Sequence, residues 1–156
     1  MKQRISIRAT GVVVYVMRRR KDDVQFLLLL RTAERGGFWQ EVSGNVERGE
    51  TAWQTALREV HEETGLMVTE LFSTDQVECF YQHQKDRIYM APAFVAFVPD
   101  KQDVKLSHEH TEFRWASLKE ALELLPYAQQ RSIAEYVDRE FLRRKPHDRL
   151  RILPEA

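Results

Sequence analysis

The chain has 156 residues, 43% hydrophobic and 31% charged, with 24 basic and 24 acidic side chains and a formal net charge of zero. That length fits one domain, residues 1–156, with a real core, and the composition excludes a disordered or low-complexity chain. Zero net charge offers no global field to nucleic acid or a membrane surface, and the lone Cys79 excludes an internal disulfide. Met1 to Arg8 lacks the apolar core of a signal peptide, and the apolar run from Gly11 to Met17 is too short to span a bilayer. The expectation is a soluble cytoplasmic protein without nucleic-acid or membrane partners.

In chain order, Ala9 to Met17 and Val24 to Leu30 are Val- and Leu-rich runs that read as paired strands, with the charged stretch Arg18 to Asp23 as their solvated connection. Gly36-Gly37 marks a loop, and a helical pattern starts at Glu50 or Thr51 and stops at Gly65. Strand-like runs follow at Gln76 to Gln82, Ile88 to Val98 and Phe113 to Ala116, with Cys79 read as a core residue of the first. Ser117 caps a helix over Leu118 to Leu125, Pro126 ends it, and a last helix runs from about Ala128 to Arg143. Residues 144–156 read as a C-terminal tail. Strands interleaved with one central helix and two late ones predict an α/β fold, an α/β/α sandwich around a mixed, curved sheet.

The informative stretch is GNVERGETAWQTALREVHEETGL, Gly44 to Leu66, which carries five glutamates. At about 100° per residue, Ala52, Trp53, Ala56, Leu57 and Val60 form one apolar stripe, with Gln54, Thr55, Arg58 and His61 opposite. Glu63 falls within roughly 20° of Ala56, inside the apolar sector, and Glu59 lies at its margin. A carboxylate facing the core without partners is costly, and like charges at this spacing repel. Glu59, Glu62 and Glu63, spaced i, i+3 and i+4, instead suit convergence on a hard divalent cation. Arg58 can reach Glu62 or Glu50 and orient the carboxylates.

Gly44, Glu50, Arg58, Glu59, Glu62, Glu63, Gly65 and Leu66, with aliphatic Val60, fill the whole signature of the Nudix hydrolases, and the segment resembles that family without a departure. The resemblance covers roughly Ser6 to Tyr136. It implies Mg²⁺, with Mn²⁺ able to substitute, held by Glu59, Glu62, Glu63 and the backbone near Ser43 and Gly44. It also implies hydrolysis of a nucleoside diphosphate linked to another group, with Glu62, Glu109 and Arg58 in the catalytic set.

Phe38-Trp39-Gln40 before the signature looks like the bacterial dATP and dihydroneopterin triphosphate pyrophosphohydrolase branch. In that branch a glutamate six residues before a tryptophan binds an additional metal or serves as base. Glu109 and Trp115 have this spacing, so Glu109 is preferred over its neighbour Glu112. The expected substrate is a (deoxy)nucleoside triphosphate or a pterin triphosphate, contacted by Arg31, Phe38, Trp39, Gln40 and Tyr81. Tyr81 also stands near the offset of a tyrosine typical of dinucleoside polyphosphate hydrolases, which are the alternative. A non-catalytic Nudix-fold binding module is a further alternative, disfavoured by the intact signature. A homodimer is compatible with the resemblance.

Overall fold

A computed structural model describes residues 1–154 of the chain. Among them, nine strands form one mixed sheet: β1 (Ser6–Arg8), β2 (Gly11–Arg20), β3 (Asp23–Arg31), β4 (Trp39–Gln40), β5 (Val42–Asn45), β6 (Glu70–Gln82), β7 (Arg87–Phe97), β8 (His110–Ala116) and β9 (Arg151–Leu153). The central path runs β4-β3-β2-β7-β6-β9, with β5 on β2, β8 on β3 and β1 on β7. Parallel pairing of β2 with β7 and β1 with β7 makes the sheet mixed, as expected from the sequence.

Period-two alternation along β2 divides the core. Val12, Val14 and Val16 join Leu27, Leu29 and Val42 under α1 (Ala52–Thr64), whose Ala56 and Val60 close that layer. Val13, Tyr15 and Met17 point the other way and pack with α2 (Leu118–Leu124) and α3 (Ala128–Val137) through Ala121, Ile133, Ala134 and Val137. Both faces are thus covered by helices, as an α/β sandwich requires. A buried polar network threads the second layer. Gln130 Nε2 donates to the Glu41 carboxylate at 3.0 Å, and the Tyr15 hydroxyl donates to the Gln130 carbonyl at 3.1 Å.

Four sequence readings shift. Arg18 to Arg20 lie in β2 itself, and only Lys21-Asp22 form the turn. The last α-helix ends at Val137 and continues as a single π-helical turn, Asp138–Leu142. Cys79 is exposed, because the outer half of β6 leaves the core as an arm paired only with β7. Within the segment read as a tail, Arg151–Leu153 add β9 to the edge of β6. No helix of the described residues is long and apolar enough to cross a membrane.

Local chemistry sets the ends of α1. The Thr51 hydroxyl accepts from the Gln54 N–H at 3.3 Å, the Thr51 N–H donates to Gln54 Oε1 at 2.9 Å, and Gly65 closes the helix at φ 71°. Thr51→Ala should therefore lower stability by about 1 kcal/mol in denaturant unfolding, with the fold kept.

Candidate functional site

At the end of the sheet where β2 begins and β3 and β5 end, a cleft of about 390 Å³ opens. Arg31 and Arg35 line one side, the backbone of Ser43 to Asn45 the floor, Glu59 the other side, and Tyr89 and Glu109 complete the wall. Gly44 leaves room for the Glu59 carboxyl against β5, since a Cβ there would collide with that side chain and displace it. Gly11 serves likewise beneath the Tyr89 hydroxyl.

Arg58 organises the acidic face. Its Nε and Nη2 bond both oxygens of Glu50 at 2.7 and 3.1 Å, its Nη1 reaches Glu59 at 2.8 Å and Glu62 at 3.1 Å, and Nη2 also donates to the Asn45 carbonyl at 2.9 Å. The bidentate bond from Arg58, aided by the Thr55 hydroxyl, pulls the Glu50 carboxyl down to about 2. The expected alternatives for Arg58, Glu50 or Glu62, are both realised.

Glu63 has no such partner. It is 4% exposed and its Oε2 is buried without a hydrogen bond. Burial, then the charges of Glu59 and Glu109, push its carboxyl up to about 9, opposed by the Ser43 backbone and Arg31. Burial also raises Glu59, against the pull of Arg58. Among the described residues no three acidic or histidine side chains close on a common point, because Arg58 draws Glu59 and Glu62 toward itself while Glu63 stays in the wall. The donor set nevertheless fits a hard cation. It combines a buried, unpartnered carboxyl oxygen, a half-buried carboxyl beside it and a glycine that opens the backbone to both.

Glu109 lies in the turn before β8, its carbonyl accepting from Thr32 N–H at 3.1 Å and its carboxylate 3.5 Å from Arg35 Nη2. It lines the cleft with Glu59, and its charge helps raise the Glu59 and Glu63 carboxyls. Glu112 is exposed in β8, opposite Leu30 of β3.

Of the residues expected to meet substrate, Arg31 lines the cleft and the others do not. Gln40 is buried between Arg31 Nη1, 3.3 Å from its Oε1, and His110 Nε2, 3.2 Å from its Nε2, so it positions Arg31. Burial lowers the His110 imidazole, which keeps that contact neutral. Phe38 packs edge-on against Tyr127 at 5.7 Å, and Trp39 lies against the core under Arg114. Tyr81 bonds Asp86 at 2.8 Å out on the β6–β7 arm. Sequence reasoning missed Arg35, Asn45 and Glu47, which no motif spacing marks.

Residues 7–139 match the profile described as NUDIX domain. The chain is 38% identical to an octanoyltransferase of Myxococcus xanthus over 74% of its own length, but spans only 33% of that protein. It is 30% identical to an asymmetrical bis(5'-nucleosyl)-tetraphosphatase of Caenorhabditis elegans over 81% of this chain and 91% of the relative. A dihydroneopterin triphosphate diphosphatase of Haemophilus influenzae is 29% identical over 72% of this chain and 75% of its own. Among solved structures, a C. elegans Ap4A hydrolase complex superposes with a TM-score of 0.75 at 27% identity, covering 86% of this chain and 98% of the other.

A carboxyl raised to about 9 in the fold binds protons that the unfolded chain has released above about 4.5. The metal-free protein should therefore lose stability as pH rises from about 4.5 to about 9. In chelator, Glu63→Gln should flatten that slope in denaturant titrations at successive pH values and make the variant the more stable protein at alkaline pH.

Proposed function

The chain belongs to the Nudix family and is a Nudix pyrophosphohydrolase, and on that premise we propose that it cleaves a (deoxy)nucleoside triphosphate or dihydroneopterin triphosphate to the monophosphate and pyrophosphate, using Mg²⁺. The observation that carries this reading is the buried Glu63 carboxyl, one oxygen of which is unpartnered, within the electrostatic reach of Glu59 and Glu109 behind a cleft that two arginines line.

Glu59 and Glu63, with Glu62 and the Gly44 carbonyl, would hold the ion. When bound, it neutralises charge developing on the phosphates and lowers the pKa of a coordinated water. Arg31, braced by Gln40, and Arg35 bind phosphate oxygens of the incoming chain. A phosphate that takes Arg35 frees the Glu109 carboxylate, now 3.5 Å from that guanidinium, to accept the proton of the attacking water. Arg58, whose Nη1 bonds both Glu59 and Glu62, offsets their mutual repulsion and aims them, and touches no reacting atom.

The second reading is a dinucleoside tetraphosphate substrate, favoured by the long match to the C. elegans tetraphosphatase. Tyr81, the residue expected to mark that class, points instead to Asp86 outside the cleft. A panel of both substrate types with Mg²⁺, its products separated by chromatography, decides between them. Pyrophosphate from triphosphates supports the first, and a mononucleotide plus a nucleoside triphosphate from the tetraphosphate supports the second. Chelation should abolish turnover and Mg²⁺ should restore it. Glu109→Gln should lower kcat by roughly 10²–10⁴-fold with little change in KM, while Glu112→Gln stays near wild type. The reverse ranking would assign the proton transfer to Glu112.

A further inference from the structure

Formal neutrality conceals a separation of charge. Around α1 one arginine, Arg58, serves Glu47, Glu50, Glu59 and Glu62. At the opposite end of the sheet Asp138 pairs with Arg143 and Asp148 with Lys145, but three other carboxylates are each shared by two arginines. Glu70 serves Arg19 and Arg151, Asp100 serves Arg18 and Arg20, and Glu140 serves Arg139 and Arg144. Between the end of β2, the start of β6, β9 and the segment after the π-helical turn lies a second cleft, of about 330 Å³. Arg19, Arg143, Arg144, Lys145 and Arg151 line it, with Glu70 as its one carboxylate.

Two of these cations are held rigidly. Arg19 Nη1 lies 2.9 Å from one Glu70 oxygen and Arg151 Nη1 lies 3.2 Å from the other. The Arg19 guanidinium lies 3.7 Å over the Phe97 ring and that of Arg151 4.8 Å over Phe72, and the two rings pack edge-to-face at 6.2 Å. Stacking and the shared carboxylate fix both planes, so little side-chain entropy is lost when an anion arrives. Neither Nε nor Nη2 of these arginines makes a hydrogen bond among the described residues. Val24, Phe72, Phe141 and Leu142 supply an apolar wall beside the forks, and the volume sits at the low end of small-molecule pockets, about 300–1,000 Å³.

We propose that this basic cleft is a second ligand site, distinct from the candidate active site, which takes a small phosphate-bearing molecule with an apolar or flat body, such as a mononucleotide. Its phosphate bonds the unused donors of Arg19 and Arg151, the 143–145 segment adds charge from the rim, and the body rests on the apolar wall. The assignment does not depend on which bond the enzyme hydrolyses.

Calorimetric titration of AMP into the full chain in chelator tests it, because the candidate active site then lacks a divalent ion and draws phosphate only through Arg31 and Arg35, a contribution that Arg35→Gln reports. Saturable binding of one AMP is expected. Arg19→Gln and Arg151→Gln should each weaken it about tenfold or more, the size of one lost charge-assisted bond. Arg143→Gln, at a 74% exposed rim position where Asp138 already holds Nε at 2.7 Å, should weaken it less but measurably, and Arg35→Gln in the other cleft should leave it unchanged. No saturable binding, loss with Arg35→Gln instead of Arg19→Gln, or affinity that grows with oligonucleotide length would overturn the proposal, the last by showing an extended nucleic-acid surface.

Discussion

The guanidinium of Arg58 lies within bonding reach of Glu50, Glu59 and Glu62 and of the Asn45 carbonyl. Three carboxylates on or beside one helix would repel one another and fray its outer face. A planar fork with five donors can answer several acceptors at once, which a lysine ammonium cannot do with the same geometry. Because one of those acceptors is the last carbonyl of β5, the same group also fixes the floor of the cleft against α1. The helix, the glycine at position 44 and the strand that carries it are therefore held as one unit.

Glu63 is what that unit leaves unsatisfied. Arg58 projects from the wet side of α1, whereas Glu63 projects into the wall between α1 and β5. With no positive partner in reach of its second oxygen, the carboxyl keeps its proton to about 9. A group so placed weakens the ion-free fold at alkaline pH, a cost that a bound divalent ion removes. On the proposed reading, Glu63 trades stability without metal for a buried oxygen left free to ligate, while Glu59 and Glu62 have to leave Arg58 to join it.

The parts legible in the sequence are those fixed by local chemistry. Thr51 and Gly65 bound α1 because a cap bonds within its own turn, and Glu63 stood out because its angle on the helix conflicts with its charge. Strand alternation placed β2, β3 and β7 within a few residues. What was hidden depends on contacts distant in the chain. Tyr81 and Cys79 alternate like core residues, yet both stand exposed on the β6–β7 arm. Gln40 looked like a substrate contact, but strand pairing turns it to Arg31 and His110. Arg35 reaches Glu109 only because a short 3-10 turn after β3 folds it back over the cleft.

On the proposed reading, the buried Glu63 carboxyl is protonated without metal and releases that proton to solvent when a divalent ion binds. Proton release on adding Mn²⁺ to metal-free protein in weakly buffered solution near neutral pH, with bound ion followed by electron paramagnetic resonance, measures this directly. About one proton released per ion bound at saturation is expected, with release lost in Glu63→Gln, since a carboxyl must ionise to ligate. Tight binding with no proton release, or the same release from Glu63→Gln, would contradict it.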